Sequence, residues 1–438
     1  MTRMKLKRRA FAVLAIVGIM LLGTVLVWSE TRQTAPDYKQ LSLFRKVMEI
    51  VEKNYVKEVT GKELMQGALN GMLQSLDPHS SFLKQESLKE LQVETKGEFD
   101  GLGIEITLDS GVLTVVTPIE DSPADKAGIK PGDKIIKING ETTKNISLIK
   151  AVKLMRGPKG TTVTITVMRE GFRKFKDYTI ARDVIHVHAV RKELIEPGYP
   201  YIRVASFQQS TDDDLVSAIK QFGGDEKIKG LVLDLRNNPG GLLDQAVRVA
   251  QHFIDKGRIV YTDGRVKDQQ MEFRANSAVK HYNFKMAVLI NEGSASASEI
   301  VAGAVQDHDR GLIVGTKSFG KASVQTIIPM DDGTGLRLTT AYYYTPLGRH
   351  IQKTGIEPDV DLKEQLQKQR EQEQEEESKT KDKDQAKPNR FQRPTVDLEK
   401  DQVLRAAFDW LKSDVTVKQY KQEHKKKEAT DKAAQAEK

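Results

Sequence analysis

Three serines alternate with alanines directly after an apolar run that has the composition of a buried strand. Ser294, Ser296 and Ser298 follow the run 286–290 and the break at Gly293. A serine at a strand-to-helix turn lies at the carboxyl end of the strand, where ligands bind in open α/β sheets. Free backbone N–H groups at the start of the helix can stabilise an oxyanion there. The three hydroxyls are therefore candidate nucleophiles.

A simpler interpretation of the same stretch is that it only begins a helix. Ser296 and Glu299 have the Ser-x-x-Glu spacing of a capping box, and most serines at helix starts only cap. Two observations weaken this interpretation. The small residues after Gly293 leave the backbone accessible to a ligand, and the turn lies at the edge of the sheet where ligands bind. These residues alone leave both roles open.

A serine nucleophile needs a base to accept its proton. The eight histidines are scattered, and His308 lies about 18 Å from Ser296 along the predicted helix, at 1.5 Å per residue. Lys321 is the other candidate, since burial beside apolar groups can lower the pKa of a lysine until its amine is neutral. Gln325 lies four residues further on and could accept a hydrogen bond that orients this amine.

The same segment has a competing interpretation as a phosphate-binding loop. Gly315-x-x-x-x-Gly320-Lys321 matches that pattern except for its last letter, where Ala322 replaces the Ser or Thr that holds magnesium. A strand, 324–329, is predicted to follow where a helix should aim its N-terminus at phosphate. We therefore predict no nucleotide and no other cofactor. The absence of cysteine and of a His-Glu-x-x-His motif also argues against a metal site.

The wider sequence indicates an α/β core with additions on both sides. Helical spacing predicts two helices between residues 38 and 76, and short β-branched runs with Gly-rich turns predict a β-rich module over 96–172. From Ile185 strands and helices alternate, which is typical of an α/β core. The predicted strands are 201–205, 231–235, 259–262, 286–290 and 312–314, the helices are 212–221, 242–253 and 296–305, and a hairpin follows over 326–344.

The N-terminus predicts a membrane segment. Basic residues in 2–9 precede an apolar run, Ala10–Trp28, whose 19 residues are close to the length that spans hydrocarbon. Because bulky and polar residues follow Trp28, an uncleaved anchor is favoured over a removed signal peptide. The charge order places the rest of the chain outside the cytoplasm. The net charge of +8 is concentrated at the two termini, with no aromatic-interleaved basic surface for nucleic acid.

Taken together, these motifs resemble those of the C-terminal processing peptidases, or tail-specific proteases. The resemblance rests on Gly293–Glu299 with Gly320-Lys-x-x-x-Gln325, and on Leu233–Gly241. It also includes Ser75–Ser80 and Gly355–Asp359, and it covers roughly residues 38–362. It implies that Ser296 is the nucleophile, that Lys321, 25 positions later, is its base, and that Gln325 orients the lysine.

The resemblance also implies an oxyanion hole and a peptide-binding module. The oxyanion hole would combine the N–H of Ala297 with that of Gly240 or Gly241. The β-rich module resembles a PDZ domain, in which Gly101, Leu102, Gly103 and Ile104 form the carboxylate-binding loop and a peptide adds as a β-strand. Residues 121–133, which include Pro131-Gly-Asp133, resemble the later half of such a domain.

The resulting prediction is an α/β protease core with an inserted PDZ domain, an N-terminal helical hairpin and a C-terminal helix after a charged linker. Its function would be that of an extracytoplasmic serine endopeptidase in the bacterial cell envelope, anchored to the inner membrane, which captures protein or peptide substrates by their free C-termini. The resemblance also makes a homodimer possible. The alternative is a PDZ-bearing scaffold or chaperone with an inactive core. The predicted segments are 1–30, an anchor or signal peptide; 31–95, helical; 96–172, PDZ; 173–362, protease core; 363–396, linker; and 397–438, helix and basic tail.

Overall fold

The computed structural model describes residues 38–169, 171–380 and 396–423. The predicted membrane segment, 10–28, lies outside these residues, as do most of the predicted linker and the end of the tail. Among the described residues no helix is both long enough and apolar enough to cross a membrane. The chain forms two compact units, residues 1–82 and 83–438.

The described part of the first unit consists mainly of two helices, as the apolar spacing predicts. They are α1, Tyr38–Asn54, and α2, Gly61–Gln74. Thr60 caps α2, because its hydroxyl accepts the N–H of Glu63 (3.2 Å) while the Glu63 carboxylate accepts the N–H of Thr60 (2.9 Å). This is the capping box that the sequence predicts. A short strand, β1, Ser81–Leu83, crosses the boundary between the units.

The β-rich module follows a helix that the sequence analysis missed, α3, Gln85–Lys96. A sheet of order β3-β4-β5-β7-β8, with β6 on β5, packs against α5, and β2 pairs separately with β9. The bounds are β2, Glu98–Gly101; β3, Ile104–Asp109; β4, Val112–Pro118; α4, Pro123–Lys126; β5, Lys134–Ile138; β6, Glu141–Thr142; α5, Leu148–Met155; β7, Thr162–Met168; β8, Lys176–Ala181; and β9, Asp183–His186. Because β3 is an end strand of its sheet, one of its edges is unpaired.

The α/β core is built on a sheet of order β10-β11-β12-β15-β16-β19. Its pairs are parallel except β10 with β11. The bounds are β10, Val190–Glu196; β11, Tyr199–Val204; α6, Thr211–Gln221; α7, Gly224–Lys227; β12, Gly230–Asp234; α8, Leu243–Gln251; β15, Lys285–Ile290; α9, Ala297–Asp307; β16, Leu312–Gly315; and β19, Val360–Asp361.

Both faces of this sheet are covered, which explains the continuous apolar runs in its strands. All five residues of β12 are buried. Leu231 and Leu233 pack in the same cluster as α6, α8 and α9, whereas Val232 faces the opposite cluster. The fold class that the sequence predicts is therefore confirmed.

The predicted strand 259–262 is present, but it belongs to a second sheet. It forms β13, Arg258–Gly264, which pairs antiparallel with β14, Glu272–Arg274, and with β18, Gly335–Tyr344. A short 3₁₀ helix, Lys267–Gln269, lies between β13 and β14. The predicted hairpin is present as β17, Ser323–Pro329, with β18. Because β17 begins two residues after Lys321, this second sheet fixes the part of the chain that follows the predicted base.

The C-terminal part of the described chain contains α10, Lys363–Thr380, α11, Gln402–Lys412, and a final helical segment over 417–423. Apolar spacing in the sequence predicts an amphipathic helix over 398–411. Its predicted start was wrong by four residues, because Asp401 caps α11 by accepting the N–H of Leu404 (3.0 Å). The apolar side of α11 packs on the face of the core sheet that α6, α8 and α9 leave open. At its other end, the Lys285 amine donates to the carbonyls of Trp410 and Ser413, both at 2.7 Å.

Candidate active site

The turn between β15 and α9 uses its three serines in different ways. The hydroxyl of Ser294 donates to the carbonyl of Leu235 (2.7 Å), and the hydroxyl of Ser298 donates to the carbonyl of Asn238 (2.9 Å). Both side chains are fully buried. The hydroxyl of Ser296 is only half-buried, and it donates to no acceptor in the part of the chain that the structure describes. Two serines therefore hold the turn to the neighbouring loop, and the middle one is left available.

Ser296 also has an unusual backbone conformation. Its φ of 56° and ψ of −114° lie in a region that residues with a side chain seldom adopt, at a cost of roughly 1–3 kcal/mol. Ser296 and Glu299 have the arrangement of a capping box. However, the N–H of Glu299 donates to the carbonyl of Ser296 at 2.8 Å, so this donor is satisfied without the Ser296 hydroxyl. Strain of this kind is common where a side chain is held for function.

The carboxylate of Glu299 joins the serine turn to the lysine segment. One oxygen accepts the N–H groups of Ser296 (2.8 Å) and Lys321 (2.9 Å). The other accepts the N–H of Gly320 (2.7 Å) and the hydroxyl of Ser318 (2.5 Å). Because both N–H groups donate to the same oxygen, the amide nitrogens of Ser296 and Lys321 are no further apart than the combined lengths of these two hydrogen bonds. Burial raises the pKa of Glu299, and the four donors oppose this effect.

Tyr343 holds the same two residues from a different side. Its hydroxyl donates to the carbonyls of Ser296 (3.1 Å) and Lys321. The ring is almost fully buried, and burial raises the pKa of Tyr343 well above its ordinary value, so the hydroxyl keeps its proton as a donor. The main chains of Ser296 and Lys321 are thus fixed by one shared acceptor, Glu299, and one shared donor, Tyr343.

The Lys321 side chain is half-buried, and this changes its acidity. Burial lowers the pKa of Lys321, the charge of Arg337 lowers it further, and the carboxylate of Glu299 raises it, with a net lowering. Its amine donates to no acceptor among the described residues, and no hydrogen bond joins it to the hydroxyl of Ser296 there. Main-chain contacts thus bring Ser296 and Lys321 together. Neither the Ser296 hydroxyl nor the Lys321 amine donates a hydrogen bond to a described residue.

Gln325 lies on β17, close to the predicted base. Its amide group donates to the hydroxyls of Thr339 (2.9 Å) and Ser323 (3.3 Å). Its carbonyl oxygen is buried and has no hydrogen-bond partner within the described residues. A buried oxygen without a donor is costly, and the Lys321 amine, four residues earlier in the chain, is a donor without an acceptor.

The loop after β12 supplies backbone N–H groups to the same region. The Asn238 side chain accepts the N–H of Gly240 (2.9 Å) and donates to the carbonyl of Val204 (2.8 Å). The N–H of Gly241 donates to no acceptor in the described residues. As the first residue of α9, Ala297 has an N–H without an acceptor inside the helix. Of the two glycines predicted for the oxyanion hole, Gly241 is therefore the one with a free N–H.

Close packing requires glycine at both positions of this loop. A Cβ on Gly240, whose φ is 106°, would lie 2.8 Å from the Cβ of Ser296 and 3.0 Å from the nitrogen of Ala297. A Cβ on Gly241 would lie 2.2 Å from the carbonyl oxygen of Phe207. The loop therefore lies directly against the serine turn.

The phosphate-loop interpretation does not fit this geometry. The N–H groups of Gly320 and Lys321, which would have to face a phosphate, both donate to Glu299. The segment continues into the strand β17, with no helix following it. A Cβ on Gly320 would lie 2.8 Å from the nitrogen of Gly355, so this glycine serves a close contact between two loops.

In the β-rich module, the predicted carboxylate-binding loop connects β2 to β3. The carbonyl of Leu102 accepts the N–H of Ala124 (3.0 Å), and the carbonyl of Gly103 accepts the N–H of Ile119 (2.8 Å) and the hydroxyl of Ser122 (3.1 Å). The N–H groups of Leu102 and Gly103 donate to no acceptor among the described residues. The loop therefore presents donors at the start of the unpaired edge of β3, where Ile104 begins the strand.

The sequence analysis missed four features that shape the site: Ser318, Asn238, Tyr343 and the bridging role of Glu299. Glu299 was noticed only as a helix cap, since its contacts with residues 318–321 depend on the fold. Tyr343 lies 47 residues from Ser296 in a strand of ordinary composition, and nothing in the sequence marks it. Asn238 could have been noticed, because it lies inside the segment Leu233–Gly241 that carries the resemblance, directly before Pro239 and the two glycines.

An α/β core that presents a strained serine beside a half-buried lysine is the arrangement of a serine-type peptidase. Comparison with known proteins agrees. The model of peptidase family S41 matches residues 198–362, a PDZ domain model matches 114–169, and the model of the activating protease CtpB N-terminal domain matches 24–87.

Two relatives in sequence support the same assignment. A carboxy-terminal-processing protease of Bartonella bacilliformis is 47% identical over 357 residues, which cover 80% of this chain and 82% of the relative. A probable CtpA-like serine protease of Staphylococcus epidermidis is 37% identical, with coverage of 80% and 72%. Among solved structures, a photosystem II D1 C-terminal processing protease is 31% identical and has a TM-score of 0.43, with coverage of 73% and 92%. The chain belongs to peptidase family S41, as a C-terminal processing protease with a PDZ domain.

Replacing Glu299 with glutamine (Glu299→Gln) tests the bridge between the serine turn and the lysine segment. The glutamine side chain offers one acceptor oxygen where two now serve four donors, so buried donors would be left unpaired at about 1–3 kcal/mol each. We expect a lower free energy of unfolding and a fall in kcat of at least roughly tenfold, because Ser296 and Lys321 lose their shared acceptor. Urea denaturation and peptidase kinetics measure the two effects.

The matched control for this prediction is Glu292→Gln. Glu292 is exposed and lies in the same turn, and among the described residues it accepts one hydrogen bond, from the hydroxyl of Thr316 (3.0 Å). It should leave both quantities close to those of the unaltered protein. Unchanged kcat and stability in Glu299→Gln would show that the carboxylate does not hold the site.

Proposed function

We propose that this chain is an extracytoplasmic endopeptidase that cleaves proteins near their free C-termini, with Ser296 as nucleophile and neutral Lys321 as general base. The observation that carries this proposal is the sharing of one Glu299 oxygen by the N–H groups of both residues. It fixes their main chains side by side while the hydroxyl and the amine stay free to meet a substrate.

In the proposed reaction, the Ser296 oxygen attacks the carbonyl carbon of the scissile peptide bond as its proton moves to the Lys321 amine. The oxygen of the tetrahedral intermediate accepts from the N–H groups of Ala297 and Gly241. As the C–N bond breaks, the lysine ammonium returns the proton to the leaving amine. Water then attacks the carbonyl carbon of the acyl-enzyme as its proton moves to the Lys321 amine. The ester C–O bond breaks, the lysine ammonium returns the proton to the Ser296 oxygen, and the product leaves with a new carboxyl terminus.

Gln325 has a supporting role in this proposal. Its unpartnered carbonyl oxygen would accept a hydrogen bond from the lysine when the amine turns towards Ser296. This contact satisfies a buried oxygen that otherwise costs free energy, and it limits the directions in which the amine can point. Because it orients the base without exchanging a proton with the substrate, its loss should be milder than the loss of Lys321.

The PDZ module would capture the substrate. A peptide adding along the free edge of β3 places its terminal carboxylate at the N–H groups of Leu102 and Gly103, which have no acceptor in the described residues. Gly103 is required for the path of this loop, since its φ is 76° and a Cβ there would lie 2.2 Å from the Cβ of Ser122. The main chain would provide most of the affinity, so many different C-termini could bind.

Substitutions of the two main residues test the chemistry. Ser296→Ala should abolish hydrolysis of an unfolded protein substrate, and Lys321→Arg should do the same because a guanidinium cannot accept the proton. Since the folded pKa of Lys321 is lowered, the neutral base forms at a lower pH than in a free lysine. Activity should therefore rise with pH across the neutral range and level off before ordinary lysines titrate.

The control for these substitutions is Ser294→Ala, which removes a hydroxyl with a structural role. Its main effect should be a lower free energy of unfolding, and its kcat should fall much less than that of Ser296→Ala. Full activity in Lys321→Arg would rule out lysine as the base. Absence of hydrolysis by the unaltered protein under all conditions, with peptide binding retained, would favour the alternative of a PDZ-bearing scaffold.

Peptide titrations test the capture step. Peptides that end in an apolar residue with a free carboxylate should bind the full-length Ser296→Ala protein, and the same peptides with an amidated terminus should bind at least roughly tenfold more weakly. The reason is that an amide carries no charge for the loop donors and adds donors of its own. Isothermal titration calorimetry measures both, and equal affinities would remove the carboxylate-binding role of Gly101–Ile104.

Location is a separate part of the proposal and rests on the sequence of residues 2–28. Protease added to cells with a permeabilised outer membrane should digest the catalytic core, and the intact protein should fractionate with the inner membrane. An untagged cytoplasmic protein in the same cells is the control and should survive. Protection of the core in spheroplasts would reverse the proposed orientation.

A further inference from the structure

Arg236 stands at the start of the loop that carries the free N–H of Gly241. Its guanidinium Nε donates to both oxygens of Asp234, each at 3.0 Å, and one terminal nitrogen donates to the same carboxylate at 2.7 Å. The main-chain N–H of Arg236 also donates to Asp234, at 2.8 Å. Asp234 is completely buried and also accepts the hydroxyl of Tyr201 (2.6 Å). One side of the arginine is thus attached to the end of β12.

The other side of Arg236 is held by a residue far along the chain. Its two terminal nitrogens donate to the two oxygens of Asp401, at 3.0 and 2.7 Å. Paired contacts of this kind fix both the position and the plane of a guanidinium. Asp401 is also the N-cap of α11, where it accepts the N–H of Leu404 (3.0 Å). The start of the C-terminal helix is therefore joined to the loop after β12.

The loop from Arg236 to Gly241 has little freedom once its first residue is fixed. The carbonyl of Arg236 accepts from Arg203 (3.1 Å), and Asn237 exchanges two hydrogen bonds with Asn291, at 2.8 and 2.9 Å. Asn291 directly precedes the Glu292–Ser296 turn. A displacement of Arg236 would therefore be transmitted within five residues to Gly241 and, through Asn291, to the serine turn.

We infer that Asp401 is a positioning residue for peptide hydrolysis. It holds Arg236, and through it the loop that carries the N–H of Gly241, which the proposed function assigns to the oxyanion hole together with the N–H of Ala297. This inference rests on the proposed function, since it assigns a role within the same site. The C-terminal helix is then a working part of the catalytic domain, although its sequence lies beyond residues 198–362, which the peptidase family model matches.

The charges explain why the contact between Arg236 and Asp401 affects the position of the loop more than the stability of the fold. If Asp401 is lost, Arg236 still pairs with the buried Asp234, so no buried charge is left without a partner. The side chain of Asp401 itself is 28% exposed. What is lost is the second pair of hydrogen bonds, without which the guanidinium can tilt about Asp234. Misplacement of a catalytic group by about 1 Å can cost as much as a hundredfold in rate.

Asp401→Asn separates the two roles of this residue. Asparagine is as good an N-cap as aspartate, so α11 keeps its cap, but it offers Arg236 one neutral acceptor in place of a charged pair. In the full-length protein we expect kcat to fall about tenfold with KM changed less than about twofold. The melting temperature should change by no more than a few degrees, and the shape of the pH profile should stay the same because Lys321 is not involved.

The matched control is Glu196→Gln. Glu196 pairs with Lys412 at the other end of α11 (2.7 Å), and both side chains are well exposed. This variant removes a carboxylate contact of the same helix without touching Arg236, and its kcat should equal that of the unaltered protein. Equal kcat in Asp401→Asn and Glu196→Gln would overturn the inference. A shifted pH profile in Asp401→Asn would also overturn it, since the effect would then be one of charge on the base.

Hydrogen–deuterium exchange gives a readout that does not depend on hydrolysis. Amides of residues 237–242 should exchange faster in Asp401→Asn, while those of β12 should not. Unchanged exchange in this loop would overturn the inference even if the peptidase activity were lost. If exchange rises but the unaltered protein shows no hydrolysis that depends on Ser296, the positioning of the loop stands and the proposed function fails.

Discussion

The rest of the site depends on one buried carboxylate. Glu299 is fully buried, and an ionised group in the protein interior is tolerated only when hydrogen bonds replace its hydration. Four donors do so, three from the main chain and one from Ser318. Each donor must arrive at a fixed place, so the carboxylate dictates the path of both the serine turn and the segment 318–321.

The sequence predicts well those parts of the molecule that local patterns determine. Continuous apolar runs identified β12 and β15, and the Thr60 capping box marked the start of α2. The strand 259–262 was predicted, but the sequence did not say which sheet it joins, because its apolar run is compatible with either sheet. What decides its place is pairing with β18, about eighty residues later, and no local pattern contains that information. The start of α11 was misplaced for a similar reason, since Asp401 is chosen as cap together with its contact to Arg236.

The site residues also divide into those that sequence motifs identify and those that only the fold identifies. The motifs named two adjacent glycines for the oxyanion hole but could not choose between them. The choice follows from Asn238, whose side chain takes the N–H of Gly240 and leaves that of Gly241 free. Likewise, the family resemblance named Ser296 and Lys321 as partners, but the groups that hold them, Glu299 and Tyr343, act through main-chain atoms. Contacts to the main chain require no particular residue type at the receiving position, so they leave little trace in a sequence.

The position of Glu299 raises a physical difficulty that the structure resolves. A carboxylate close to a lysine stabilises the ammonium, which is the form that cannot accept a proton, and Glu299 does raise the pKa of Lys321. Yet burial and the charge of Arg337 outweigh it, and the net pKa is lowered. The reason lies in what the carboxylate faces: its oxygens are occupied by the N–H groups of Ser296, Gly320 and Lys321 and by the hydroxyl of Ser318, so it binds the main chain of the lysine and not its amine. A negative charge can therefore fix the position of Lys321 while leaving its amine available as a base.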